Sequence, residues 1–188
     1  MKFKLNPAFE QASGALGELV FREVNGKTIV SRKAAVSGVI TEAQAAHRER
    51  FRQAAAYGKF AMANQATRAI YDAASEEKDI PAYALSVADF LNLPSIKDMD
   101  LSAYHGQTGD AIKLITSDDF GVVNVHVVIT DALGTTLESG NAVEAPAGTG
   151  RWTYTATAAV ADGTTITVKI TATDRPGGVA TSVTTQSV

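Results

Sequence analysis

The 188-residue chain has no cysteine, one tryptophan and five prolines. Without cysteine there are no disulfides, thiolate metal sites, thiol nucleophiles or redox switches, and stability must come from packing. No stretch reaches the roughly 18 apolar residues that a membrane-crossing helix needs. The opening Met1-Lys2-Phe3-Lys4-Leu5-Asn6-Pro7 is positive, but no apolar run follows it, so no Sec signal is recognisable. Also missing are a Gly-x-Ser-x-Gly elbow, a His-Glu-x-x-His helix, a Walker loop and a dinucleotide fingerprint, which leaves an enzyme without a constellation to work from. A formal charge of -3 is too small to call for a nucleic-acid or membrane partner, and aromatic residues are not interleaved with basic ones for base stacking.

The charge that is present is uneven. From Met1 to Phe60 there are ten Lys or Arg against five Asp or Glu, a balance of +5; from Ala61 to Val188 there are seven against fifteen, a balance of -8. Solvated faces explain such a split most simply, and a basic N-terminal face docking on an acidic neighbour is the sharper reading.

The texture divides the chain into residues 1–40, 41–95 and 96–188. In the first zone, Leu19-Val20-Phe21-Arg22-Glu23-Val24 and Lys27-Thr28-Ile29-Val30-Ser31-Arg32 flank Asn25-Gly26, a turn pair that favours positive φ at both positions. This predicts a β-hairpin. A lone two-stranded hairpin is marginal in water, so it is expected to seek a partner strand, in its own chain or a neighbouring one. Leu19, Phe21, Val24, Ile29 and Val30, with Arg48 and Arg52 of the next zone, are the candidate assembly interface.

The second zone is alanine-rich. Thr41-Glu42-Ala43-Gln44 reads as a capping box opening a helix to about Ala63, with Phe51, Ala54, Ala55, Gly58, Ala61 and Met62 on its apolar stripe. A second helix is expected from Gln65 to Glu77 with Ala66, Ala69, Ile70, Ala73 and Ala74 inward. A third has Pro81 at its first position and Ala84, Leu85, Ala88 and Leu91 inward, and Pro94 closes it. Alanine faces bury little area at about 25 cal/mol per Å2, so these helices should lean on something else.

From Ile96 the period changes to two. Seven strands are expected: Asp98–Tyr104, Ala111–Thr116, Val122–Thr130, Thr135–Asn141, Arg151–Ala158, Thr164–Thr173 and Val179–Ser187. Val123, Val125, Val127 and Ile129 alternate with Asn124 and His126, and Ile166, Val168, Ile170 and Ala172 alternate with Thr and Lys. Trp152 and Tyr154 share a face and are the largest core candidates. Seven short strands in about 90 residues fit an immunoglobulin-like sandwich, so the expected class is an α+β chain in two parts: a hairpin with alanine-rich helices, then an all-β sandwich.

The segments Gly109-Asp110-Ala111-Ile112, Asp118-Asp119-Phe120-Gly121-Val122-Val123-Asn124-Val125, Trp152-Thr153-Tyr154 and Ile170-Thr171-Ala172-Thr173-Asp174-Arg175-Pro176-Gly177-Gly178 resemble the bacterial immunoglobulin-like domains of surface and phage-associated proteins. That fold serves as spacer, adhesin and decoration domain alike. The front of the chain, Gly14-Ala15-Leu16-Gly17-Glu18-Leu19-Val20-Phe21 through Arg48-Glu49-Arg50-Phe51, is similar to the opening of uncharacterised bacterial and phage-like proteins. This second resemblance implies a structural subunit and carries over no active-site residues.

Other chemistry-bearing residues have plain explanations. His47, His105 and His126 lie far apart and read as surface histidines. Asp118, Asp119, Asp131 and Asp174 fall at strand ends, where calcium could be held by carboxylates and carbonyls, although turn formation is the commoner role. Thr153, Thr155 and Thr157 read as a solvent-facing hydroxylated strand, which is also a surface for glycan or for another subunit. The functional expectation is a non-catalytic structural subunit that self-assembles or decorates a larger particle: a phage-like particle, tube or surface filament. The alternative is a monomeric adhesin-like module binding glycan or protein. No cofactor other than calcium is expected, and neither nucleic acid nor a membrane span. The protein is expected to be made in the cytoplasm and to end in a particle or at an extracellular surface.

Overall fold

Alternating side chains around tight turns make the first elements. Strands β1 (Gly14–Leu16), β2 (Leu19–Val24) and β3 (Lys27–Arg32) form an antiparallel sheet in the order β1-β2-β3. The computed structural model describes residues 13–24, 26–34, 38 and 40–188. Asn25 of the expected turn lies outside the described residues, as does the side chain of Val24; Gly26 has a φ of 70°. The expected two-stranded hairpin is therefore a three-stranded sheet. Gly17, at a φ of 60°, lets the chain reverse after Leu16, so β1 pairs along the free edge of β2 with Leu16 opposite Leu19. None of the described residues of this sheet is buried.

The chain divides into two compact units, Met1–Ala45 and Ala46–Val188. Helix α1 (Glu42–Ala63) opens with the expected capping box: the Gln44 amide N–H donates to Thr41 Oγ1 at 3.2 Å and the Thr41 N–H donates to Gln44 Oε1 at 3.1 Å. Helix α2 (Gln65–Lys78) is capped by Asn64, which accepts from Thr67 N–H at 3.0 Å, and ends on Asp79 in the left-handed conformation. Helix α3 (Ala82–Leu91) begins one residue later than expected, with Pro81 at the cap.

Burial keeps most of the expected α1 face and corrects the rest. Phe51 is 51% exposed, and Ala54, Gly58 and Ala61 form the buried line of α1. On α2, Ala66, Ala69 and Ala73 face out and Tyr71 is fully buried. On α3, Ala84 faces out, whereas Leu85, Ser86, Val87 and Asp89 are buried. Counting apolar residues favoured the alanine stripes; a ring of Tyr71's size, with hydrogen-bond partners for its hydroxyl, removes more area from water and sets the rotation of α2. Gly58 is the close-approach point between α1 and α3. A methyl there would stand 2.8 Å from the Tyr83 ring and 3.0 Å from Val87.

The rest of the chain is two four-stranded antiparallel sheets. One has the order β4 (Ser95–Asp100), β5 (Ala111–Ser117), β9 (Arg151–Thr155), β8 (Val143–Glu144); the other has the order β11 (Val179–Ser187), β10 (Thr165–Asp174), β6 (Val122–Asp131), β7 (Thr136–Asn141). Their inner faces share one core that includes Ile112, Leu114, Val125, Val127, Ile129, Trp152, Tyr154, Ile166, Val168 and Ile170. In all, the described residues form three helices and eleven strands in three antiparallel sheets, a mostly-β α+β chain.

Three local differences from the periodic reading have causes. Val123 is 48% exposed because Thr173 pairs with Asn124 and Asp174 with Val122, leaving Val123 as the extra residue of a bulge that flips the phase of β6. Strand β4 stops at Asp100, whose carboxylate accepts from Ser102 N–H at 2.9 Å and turns the chain. Strand β9 stops at Thr155, and the pair Val143–Glu144, too short to show a period, forms β8 beside it.

Candidate functional site

Polar chemistry concentrates where the helices meet one end of the two-sheet body. The helices build a small core from Ala61, Tyr71 and Leu85, and Phe120, from the loop between β5 and β6, packs against it. The Phe120 ring meets Tyr71 edge-on with 4.9 Å between centroids, and Lys78 Nζ lies 5.1 Å from the Phe120 centroid. Behind these rings, the Tyr71 hydroxyl donates to Asp89 Oδ2, and the Tyr57 and Tyr71 hydroxyl oxygens are 2.9 Å apart.

Asp89 is fully buried. Burial pushes its carboxyl up to about 6; the Tyr71 hydrogen bond opposes that rise, and the nearby charges of Asp118 and Asp174 add to it. From the two-sheet body come Asp118, whose Oδ2 accepts from Phe120 N–H at 3.0 Å, and Asp174, whose Oδ1 accepts from Gly178 N–H at 2.5 Å across the β10–β11 turn. Asp174, 2% exposed, is raised by burial as well. Asp89 Oδ1, Asp118 Oδ1, Asp174 Oδ2 and Arg175 Nε are all buried without a hydrogen-bond partner among the described residues. Beside them opens a cavity of about 370 Å³ lined in part by Thr116, Asp118, Phe120, Glu144 and Arg175.

A second buried carboxylate sits inside the two-sheet body. Glu138 of β7 is 6% exposed, and its Oε2 accepts from the Tyr154 hydroxyl at 3.0 Å, the Thr157 amide at 2.8 Å and the Thr157 hydroxyl at 3.0 Å. Burial, followed by this carboxylate, pushes the Tyr154 phenol up to about 12. Thr157 is exposed as expected, but it lies beyond the end of β9 and its hydroxyl is engaged by Glu138.

Of the calcium candidates, Asp118, Asp119 and Asp174 come to the junction of the helices with the two-sheet body, and Asp131 does not. Asp119 accepts from Asn92 Nδ2 at 2.6 Å. Asp131, at the far end of β6, accepts from Leu133 N–H at 2.9 Å and Thr135 N–H at 2.8 Å, which is turn formation. Among the described residues no group of three or more His, Asp or Glu side chains is arranged to hold a metal ion. His47 and His105 are exposed, and the Nδ1 of half-buried His126 lies 2.8 Å from Asn141 Oδ1.

The interface candidates separate by register. Directly paired residues share a face, so Leu16 and Leu19 lie with Phe21 and Val30 on one side of the N-terminal sheet, and Val20 lies with Ile29 on the other. Leu16 is 64%, Leu19 43% and Val30 37% exposed. On α1, Arg48 is exposed, whereas Arg52 grips Glu49 through two hydrogen bonds of 2.6 and 2.8 Å. Arg50 donates to the Leu91 carbonyl at 2.8 Å and ties α1 to the end of α3. The basic cluster is therefore largely consumed within the fold.

Asp89 was missed in the sequence because it sits one step off the expected stripe. The signal that could have found it is its isolation, as the one charged residue in a ten-residue helix whose other positions are apolar save for Ser86.

No family model matches the chain, and no curated protein matches it. Among solved structures, CopC from Methylosinus trichosporium OB3b is similar over 50% of this chain and 92% of that one, at 19% identity and a TM-score of 0.39. At that level of likeness we draw nothing from it about this chain. No helix among the described residues is long and apolar enough to cross a membrane.

Proposed function

We propose that the protein is a non-catalytic structural subunit that assembles with copies of itself or decorates a larger particle, using its N-terminal sheet as the docking element. One observation carries this reading: the sheet presents Leu16, Leu19 and Val30 exposed on one face, and none of its described residues is buried. A sheet whose own residues build no core gains too little from burial to offset the entropy of ordering it, and a partner surface supplies the missing area. The remainder, Ala46–Val188, contains a core of its own and suits a displayed body.

We also infer that this body is immunoglobulin-like. Lettering β4 to β11 as A, B, C, C′, D, E, F and G turns the two strand orders into A-B-E-D and G-F-C-C′, the partition of that class with one strand added beside C. The inward Trp and Tyr of strand E and the bulge in strand C are compatible with it. The class hosts many functions, so it supports a display role without naming one.

The test is the pair Leu19→Lys and Val30→Lys in the full-length protein, read by light scattering after gel filtration and by negative-stain microscopy. Loss of oligomers or particles with an unchanged melting transition supports the reading. Assemblies that persist in the double variant, or a wild-type protein that stays monomeric at high concentration, contradict it. In the second case the glycan- or protein-binding monomer becomes the better account.

A further inference from the structure

We propose that the junction between the helices and the two-sheet body is a proton-operated latch: with the proton held on Asp89 the helices are closed on the sheets, and loss of that proton loosens them.

The geometry comes first. Three carboxylates from three separate elements, α3, the β5–β6 loop and the end of β10, each keep one buried oxygen without a hydrogen-bond partner among the described residues. Such atoms are costly in a low-dielectric interior. They can be relieved by a metal, a ligand or a proton. No three such side chains among the described residues are arranged for a metal, and the unpartnered oxygens are closed to solvent, although Asp118 also lines the neighbouring cavity. A proton needs no such space.

The charged and titratable groups that face Asp89 make its ionisation unfavourable. From α1 and α2 come the neutral hydroxyls of Tyr57 and Tyr71, both held more firmly protonated by burial. Lys78 of α2 is turned to the Phe120 ring. From the two-sheet body come two carboxylates and one guanidinium, Arg175, which makes no ion pair within 4.0 Å among the described residues. Asp119 is set aside by its bond to Asn92. One cation against three carboxylates leaves room for a proton.

The sign follows from linkage. The closed state holds the Asp89 proton up to about pH 6, against an ordinary value of 3.8 for a carboxyl freed into water. Closing is therefore favoured most below pH 3.8, weakens as pH rises to 6, and stays weak above it. For a two-state opening with those values, the open population rises roughly 25-fold between pH 4.5 and pH 7.

The test is hydrogen exchange of the α3 amides in the full-length protein, corrected for intrinsic rates, at both ends of that range. The expected result is a rise of that order in wild type and a much smaller rise in Asp89→Asn, which keeps an acceptor for Tyr71 and leaves only Asp174 raised by burial. Tyr71→Phe removes the bond that favours the ionised form, so its transition should move to higher pH; it serves as the second variant if the first does not fold. A wild-type α3 whose protection ignores pH, or an Asp89→Asn protein with an unchanged pH response, overturns the latch. Calcium that restores protection at pH 7 in wild type and not in Asp89→Asn overturns it too, in favour of a metal.

Discussion

Replacing Trp152 with alanine is the sharpest probe of the two-sheet core. The indole is 7% exposed, lies opposite Leu114 on β5, and donates from Nε1 to Thr116 Oγ1 at 3.0 Å. A buried tryptophan removes up to about 250 Å2 from water, which at about 25 cal/mol per Å2 sets a ceiling near 6 kcal/mol. Alanine keeps part of that area and the cavity relaxes partly, so the expected loss is about 3–5 kcal/mol. Trp152→Phe keeps most of the apolar area and gives up the indole hydrogen bond. Thr116 still has the Gly150 carbonyl within 3.5 Å, so the phenylalanine variant should lose about 1–2 kcal/mol. Urea unfolding followed by far-ultraviolet circular dichroism is the suitable assay, because the substitution removes the chain's single tryptophan and with it the fluorescence signal. A loss below about 1 kcal/mol for Trp152→Ala would show that the ring is not part of the core.

Three further outcomes follow from local geometry. Gly150→Ala should cost roughly 2 kcal/mol or more in thermal or urea unfolding, because Gly150 has a φ of 68° and a Cβ there would overlap the Thr116 carbonyl oxygen. Asn64→Ala should cost about 1 kcal/mol by removing the cap of α2, and Asn64→Ser should recover most of it in the same assay. Amide hydrogen bonds from Gln107 and His105 hold Asp110 below the usual carboxylate range, and one from Thr135 does so for Asp131; their stabilisation is present above pH 3.8 and lost as pH falls through the lower native values. Melting temperatures should therefore drop below pH 3.8, less steeply in Asp131→Ala than in wild type.

The strand pattern was readable where one face is dry and the other wet. Ile166, Val168, Ile170 and Ala172 are all fully buried, as their alternation with Thr and Lys implies. The same rule failed at Val123, since a bulge changes the phase without changing the composition. Helix ends were readable from Thr41, Gln44 and Pro81, because caps are local chemistry. The α1 face was readable apart from Phe51, since Ala54, Gly58 and Ala61 are buried as expected; the α2 face was not, because a stripe of alanines has too little contrast to set a rotation, and Tyr71 sets it through its contact with Asp89, distant in sequence. The junction was half legible: Asp118 and Asp174 stand out at strand ends, but nothing local says that Asp89, roughly thirty residues before the one and eighty before the other, will face them. The third strand of the N-terminal sheet was hidden by its length of three residues.

The assembly claim is tested most directly by the solution mass of the full-length protein across a wide concentration range, measured by sedimentation equilibrium. The account predicts a mass that rises to a defined multiple of the monomer, or to large particles, and that falls back to the monomer when residues 1–38 are removed while the far-ultraviolet spectrum of the remainder keeps its β and helical features. A full-length chain that remains monomeric at the highest concentration, or an assembly whose mass is unchanged by that removal, would contradict it.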